Sequence, residues 1–113
     1  MNIGFLLLSD HSEAVNGKLY LTGGGWNVLR LPQLPHEWSF HIGLGIDVAW
    51  HETNDPHELV VTVQDPDGIE LGEGLTASFS SPGPHAAVVQ VNGEELGRAR
   101  FYLMDAGPEE ELG

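Results

Sequence analysis

The sequence of 113 residues contains no cysteine. Without thiols the chain has no disulfide bond, no cysteine nucleophile and no cysteine-ligated zinc or iron–sulfur site, so a metal would be held by His, Asp or Glu. A domain of this length forms its core without such cross-links. We expect a single domain over residues 1–104, followed by a flexible acidic tail over residues 105–113.

Basic residues are also scarce. The chain has 4 Lys and Arg residues against 17 Asp and Glu residues, which gives a formal net charge of −13. A field of that sign repels phosphate backbones, so the composition argues against direct nucleic-acid binding. The acidity would attract basic partner proteins, or it only keeps an all-β protein soluble and limits pairing between sheet edges.

Long hydrophobic runs are missing as well. The apolar run at residues 3–8 is far shorter than the roughly 20 residues that a membrane helix requires. It has neither the basic leader nor the small-residue cleavage site of a signal peptide. We interpret it as a core strand, and we expect a cytoplasmic protein with no membrane partner.

The strongest pattern present is an alternation of apolar residues between Trp38 and Trp50. Large apolar side chains occupy every even position, with small or polar residues between them. Successive side chains of a strand point to opposite faces, so this pattern predicts a strand with one buried face. The alternation predicts that Trp38 and Trp50 lie on the buried side of one strand over residues 38–50.

Turn signals divide the rest of the chain into short strands. Asn16-Gly17 and Asn92-Gly93 are typical of tight hairpins, and Pro66 and Gly68 indicate a turn. A longer turn that includes Glu94 and Glu95 is an alternative at the second hairpin. About eight strand segments without helical periodicity predict an all-β fold, an antiparallel β-sandwich of immunoglobulin-like or jelly-roll-like arrangement, with a small open barrel as the alternative.

Two segments contain residue types found in active sites, but neither has the required context. The glycines at positions 23–25 are not followed by a helix that could bind a phosphate, so we interpret them as a structural bulge set against Trp26. Ser9, Asp10 and His11 are adjacent, whereas a catalytic triad is assembled from distant positions. We expect no catalytic residue, no cofactor and no enzymatic activity.

The segment at residues 51–58 carries candidate metal ligands. It holds two imidazoles and three carboxylates, which suit divalent transition metals. Pro56 argues against the helical spacing of a His-Glu-x-x-His site, and a solvated polar loop is the alternative. The candidate ligands are His51, Asp55, His57 and Glu58.

Three segments, at residues 6–11, 17–26 and 92–101, resemble a family of short bacterial all-β proteins of uncharacterised function. In that family a strand ending near an Asp precedes a Gly-Lys-Leu…Gly-Gly-Gly-Trp element, and a hairpin closes the chain. The resemblance covers most of the chain and supplies no catalytic residue. Relative to that pattern the chain is shorter between Gly72 and Ala86, so the resemblance implies a less complete sheet edge there.

Taken together, these features favour a non-enzymatic protein-interaction module. We expect its acidic surface or a free sheet edge to dock another protein or a second copy of the chain. One alternative is a small metal- or carbohydrate-binding protein that uses residues 51–58 and nearby tryptophans. Another alternative is an acidic inhibitor that mimics nucleic acid.

Overall fold

The structure, a computed structural model, describes residues 1–72 and 76–105 of the chain. These two ranges contain strands and one 3₁₀ turn at Trp50–Glu52, and no α-helix. The predicted all-β class is therefore confirmed. The strands are β1 (Asn2–Val15), β2 (Lys18–Gly24), β3 (Val28–Leu31), β4 (His36–Ser39), β5 (His41–Asp47), β6 (Leu59–Gln64), β7 (Thr76–Phe79), β8 (Gly83–Val91) and β9 (Glu94–Asp105).

The strands form three sheets with the orders β2-β1-β5, β3-β9-β8-β6 and β4-β7. Every pair is antiparallel except β3 and β9, which run parallel. The described strands do not close into a barrel, and their arrangement is compatible with the predicted β-sandwich. Of the predicted acidic tail, Asp105 belongs to β9, and the remainder lies outside the described residues.

Both Asn-Gly pairs form two-residue hairpin turns. Asn16 and Gly17 have φ angles of 50° and 74°, and Asn92 and Gly93 have φ angles of 53° and 84°. Two consecutive positive φ angles match the twist of the strands on either side. The second hairpin follows the shorter of its two predicted forms, because Glu94 pairs directly with Val91 within the ladder.

The predicted single strand over residues 38–50 was wrong. The chain changes sheet at Phe40, so that β4 pairs with β7 and β5 pairs with β1. Phe40 is 3% exposed, whereas Trp38 is 37% exposed and Trp50, in the 3₁₀ turn, is 89% exposed. Alternation buries a side chain only where a second layer covers the strand, and the described layers cover Phe40 but not Trp50.

The hydrophobic core has an aromatic centre at Phe101 of β9. The Phe101 ring lies 5.8 Å from the rings of Trp26 and Phe40 and 6.1 Å from the ring of Phe79, in edge-to-face contacts. The imidazole of His85 stacks on it at 5.7 Å. These partners come from different sheets and connections, so Phe101 joins the layers of the fold.

Strand β1 bends so that its second half, together with β2, folds over β5. The hydroxyl of Ser12 donates to the carbonyl of Ile42 at 2.9 Å, although the ladder pairs Ile42 with Leu8. In a straight strand four residues span about 13 Å, which would prevent that bond. This bend brings Leu19 and Leu21 of β2 into contact with Gly43 of β5. A Cβ on Gly43 would lie 3.0 Å from each of the two leucine side chains.

In the described part of the chain, no helix has the length and hydropathy needed to cross a membrane.

Candidate interaction surface

The outer face of the four-stranded sheet carries most of the positive charge of the chain. Along β9, alternation places Phe101 in the core and turns Arg98 and Arg100 outward. Arg30 lies on the same face, because β3 pairs it with Met104. Three of the 4 cationic residues of the chain therefore share one face, and the fourth, Lys18, begins β2. We call this surface the arginine face: Val28, Arg30, Arg98, Arg100, Tyr102 and Met104.

Small residues form a floor beneath the two arginines of β9. Ala86 and Val88 of β8 pair with Arg100 and Arg98, respectively. Both floor residues are buried although they point outward, with exposures of 6% and 0%. The aliphatic stems of arginine side chains cover apolar neighbours in this way while the guanidinium groups stay in water. A cavity of about 150 Å³ opens beside them, and Pro66 is among the residues that line it.

The arginine face also has an exposed apolar rim. Tyr102 is 51% exposed, Met104 is 40% exposed and Val28 is 43% exposed. The ladder places Val28 directly beside Tyr102, so these side chains are neighbours. Tyr, Met and Arg are the residues most enriched in protein interfaces relative to the remaining surface. The face therefore combines residue types that are enriched in protein interfaces.

One of the arginines is held by a carboxylate of its own strand. Arg98 Nε donates to Glu95 Oε2 at 3.0 Å, and a second guanidinium N–H donates to Oε1. This guanidinium lowers the pKa of the Glu95 carboxyl below its ordinary value, and Glu95 in turn raises the pKa of Arg98. No described carboxylate forms an ion pair with Arg30 or Arg100. Arg100 is therefore the β9 guanidinium that is available to a partner.

The ion pair between Glu95 and Arg98 predicts a pH-dependent contribution to stability. Because folding lowers the pKa of Glu95, its contribution is present above the unfolded carboxyl pKa and is lost as the pH falls through the folded value. We expect Glu95→Gln to destabilise the fold slightly at pH 7 and not at acidic pH, in urea unfolding. Glu94→Gln is the control, because it removes the same charge from the neighbouring residue. An equal loss of stability in this variant would contradict the assignment of the effect to the ion pair between Glu95 and Arg98.

The structure does not bring the predicted metal ligands into one ligand set. Within residues 1–72 and 76–105, no group of three or more His, Asp or Glu side chains is arranged to hold a metal ion. Both ring nitrogens of His57 already have partners, the carbonyl of Glu52 at 2.9 Å and the side-chain amide of Asn92 at 3.0 Å. All four predicted ligands, His51, Asp55, His57 and Glu58, are exposed.

The other two segments with site-like residues serve the fold. Trp26, after the three glycines, packs against the core with its ring 5.6 Å from that of Phe40. The residues Ser9 to His11 lie within β1, and His11 Nε2 lies 2.9 Å from a Glu13 carboxylate oxygen. No catalytic arrangement results from these contacts.

The arginine face is not among the sites predicted from the sequence, although the sequence contains a signal for it. Between Arg98 and Met104 the residues alternate between an outward set and an inward apolar set. Because side chains two residues apart on a strand point to the same side, the outward set predicts that Arg98, Arg100 and Tyr102 share a face. The contribution of Arg30 could not be predicted, because it depends on the parallel pairing of β3 with β9.

The comparisons with known proteins give one match. A family model described as "Family of unknown function (DUF6941)" matches residues 4–80. No curated protein and no solved structure matches the chain. The matched range runs from within β1 to the end of β7, so β9, which carries Arg98, Arg100 and Tyr102, follows it.

Proposed function

This chain belongs to the DUF6941 family of unknown function, and we propose that it is a non-enzymatic protein-interaction module that docks a partner on its arginine face. The observation that carries this proposal is the position of three of the 4 cationic residues on one exposed sheet face with Tyr102 and Met104. The partner surface is one of opposite local charge with apolar groups for the rim.

The arginine face is a basic surface on an acidic protein, which bears on the kind of partner that it can bind. In a chain with 17 acidic residues, an exposed arginine readily finds a carboxylate, as Arg98 does. Arg30 and Arg100 form no ion pair with a described carboxylate. At physiological ionic strength charges more than about 8 Å away are largely screened, so an approaching partner responds to the side chains at the contact more than to acids elsewhere on the chain. Local charge complementarity therefore favours an acidic partner surface.

The proposal differs from the expectation based on composition. The net charge of −13 suggests a basic partner attracted to the acidic surface. Net charge describes the whole molecule, whereas docking depends on the residues at the contact. The face that combines charge with exposed Tyr102 and Met104 is the basic one.

Site-specific photo-crosslinking tests the proposed docking face. Tyr102 and Tyr20 are exposed to similar extents, 51% and 55%, but Tyr20 lies on β2, outside the arginine face. With benzoylphenylalanine at each position in turn, we expect a discrete cross-linked protein from native lysate at position 102 only. The cross-link should be lost with Arg100→Gln and retained with Lys18→Gln. Equal cross-linking at position 20, or none at position 102, would contradict the proposal.

A second candidate function is supported by the exposure of Trp50. This side chain is 89% exposed and precedes His51 in the 3₁₀ turn. Exposed aromatic rings bind the apolar faces of sugars, and neighbouring imidazoles bind metals, which suits the small metal- or carbohydrate-binding alternative.

Zinc titration followed by calorimetry tests this second candidate. We expect zinc binding to disappear in the double variant with His51→Ala and His57→Ala if the turn holds a metal, because both imidazoles would be removed. His36→Ala, at an imidazole on β4, is the matched control. Equal zinc binding by the double variant and the wild type would exclude the site. A Trp50→Ala variant that binds soluble oligosaccharides as tightly as the wild type in calorimetry would exclude sugar binding at this turn.

A further inference from the structure

We infer that the arginine face binds an extended acidic segment of the partner protein, whose alternate carboxylates pair with the guanidinium groups of Arg98 and Arg100. This inference rests on the proposed docking function and specifies the chemistry of the partner. It depends on three observations: the spacing of the arginines, the size of the cavity beside them and the order of charged and apolar side chains along β9.

The spacing of the arginines matches an extended strand. Arg98 and Arg100 lie two residues apart on β9, which corresponds to about 6.8 Å along an antiparallel strand. Carboxylates at alternate positions of an extended segment have the same separation. Each planar guanidinium binds a carboxylate through two parallel hydrogen bonds, which is the strongest mode available to an exposed arginine.

The cavity beside the arginines fits one side chain rather than a helix. Its volume is about 150 Å³, and it is bounded by Pro66, Pro84 and the two arginines. An α-helix with side chains has a diameter of about 10–12 Å and needs a wide groove. The buried floor of small residues beneath the arginines instead permits close approach of an extended backbone, with one acidic side chain entering the cavity.

Two acidic side chains lie near the arginines, and each already accepts hydrogen bonds within the fold. Asp65 lines the same cavity, and its Oδ1 accepts hydrogen bonds of 2.9 Å from the backbone N–H groups of Asp67 and Ile69, which hold this carboxylate to its own turn. Glu95 bonds to Arg98, whereas its interaction with Arg100 is electrostatic, without a hydrogen bond. A partner carboxylate therefore binds Arg100 directly and competes with Glu95 for Arg98.

Beyond the two arginines, the outward side chains of the arginine face continue at the same two-residue spacing but are apolar or aromatic. Beyond Arg100, β9 turns Tyr102 and Met104 outward at the same two-residue interval. A matching segment carries two alternate acidic residues followed by two alternate apolar residues. Arg30 lies beside Met104 and supplies a further positive charge at that end.

Fluorescence anisotropy with synthetic peptides tests the inference on the full chain at 0.15 M salt. The probe is a labelled twelve-residue peptide in which two glutamates at alternate positions are followed by two valines at alternate positions, with serine elsewhere, and the control peptide has glutamine in place of glutamate. Hydrogen bonds to a charged group are roughly twice as strong as those between neutral groups, so we expect at least about tenfold weaker binding by the control peptide. Equal binding of the two peptides would overturn the inference.

Matched variants locate the binding site of the acidic peptide. We expect Arg100→Gln to weaken binding about tenfold and Lys18→Gln to leave it within about twofold, although both remove one positive charge. Glu95→Gln should strengthen binding, because it releases Arg98. Arg100→Lys keeps the charge and the aliphatic cover of Ala86, so weakened binding by this folded variant assigns the effect to the guanidinium. Equal losses from the substitutions at positions 18 and 100 would contradict the inference.

Two outcomes separate the failure of this inference from that of the proposed function. Cross-linking at position 102 that depends on Arg100, without binding of the acidic peptide, would overturn the extended acidic segment and keep the docking face. Absence of both would overturn both. Binding of a single-stranded RNA probe as tight as that of the acidic peptide would also overturn the inference, because it would assign the face to phosphates.

Discussion

Replacing Phe101 with alanine is expected to lower the free energy of unfolding by about 3–5 kcal/mol, because the change removes a buried aromatic ring and leaves a cavity. Phe101 is 3% exposed and contacts the rings of Trp26, Phe40, Phe79 and His85. These partners belong to different layers, so they cannot all move inward to fill the space. Urea unfolding monitored by circular dichroism measures the effect.

The neighbouring residue provides the control for this prediction. Tyr102 follows Phe101 on β9 but points outward and is 51% exposed. Tyr102→Ala should cost less than about 1 kcal/mol, as exposed substitutions usually do. Similar losses from the two substitutions would show that the aromatic cluster does not hold the layers together.

Replacing Gly72 with alanine is expected to lower the free energy of unfolding by about 1–3 kcal/mol, through steric overlap rather than backbone strain. A Cβ on Gly72 would lie 2.3 Å from the carbonyl oxygen of Thr76 and 3.3 Å from the Cα of Ala77. Both are backbone atoms at the start of β7, so neither can rotate away. The overlap would also disturb the hydrogen bond between Ser78 and Leu71, which links β7 to the chain beside β6.

Gly24 is the matched control for Gly72. A Cβ on Gly24 would lie 3.6 Å from the side chains of Leu21 and Ser9, which is ordinary contact. Gly24→Ala should therefore be neutral or stabilising by up to about 1 kcal/mol, because alanine has less conformational freedom in the unfolded chain. Urea unfolding of both variants gives the comparison, and a stable Gly72→Ala variant would contradict the predicted overlap.

Local sequence signals predicted the hairpins well. The positive φ angles at Asn16 and Asn92 follow from the Asn-Gly pairs, and each turn sets the register of the strands that it joins. These features depend on residues that are close in the sequence. The all-β class followed for the same reason, since alternation and turn residues are local properties.

Features that depend on distant pairing could not be predicted. The change of sheet at Phe40 arises because β4 pairs with β7 and β5 pairs with β1. Neither pairing can be predicted from residues 38–50 alone. Trp50 is exposed because no other layer of the described fold covers it. The sequence around Trp50 does not show whether a second layer lies over it. The grouping of Arg30 with the arginines of β9 is missed for the same reason.

The candidate ligands at residues 51–58 illustrate the limit of composition as a guide to sites. Closeness in sequence placed four residues of suitable type together, but ligation requires side chains that converge on a point. Here the ring of His57 bonds to Glu52 and Asn92 instead, which fixes the turn against the β8–β9 hairpin. In the described fold the imidazole of His57 therefore has structural partners.

The parallel pairing of β3 with β9 has a consequence for the order in which the chain folds. Val28 pairs with Tyr102, so the two strands of this pair are separated by most of the chain. Closing such a long loop is entropically costly and slow, and during synthesis β3 stays without this neighbour until β9 has left the ribosome. Arg30 joins Arg98 and Arg100 only at that step. A partner that requires all three arginines would therefore recognise chains in which β9 has paired with β3 and pass over those in which it has not.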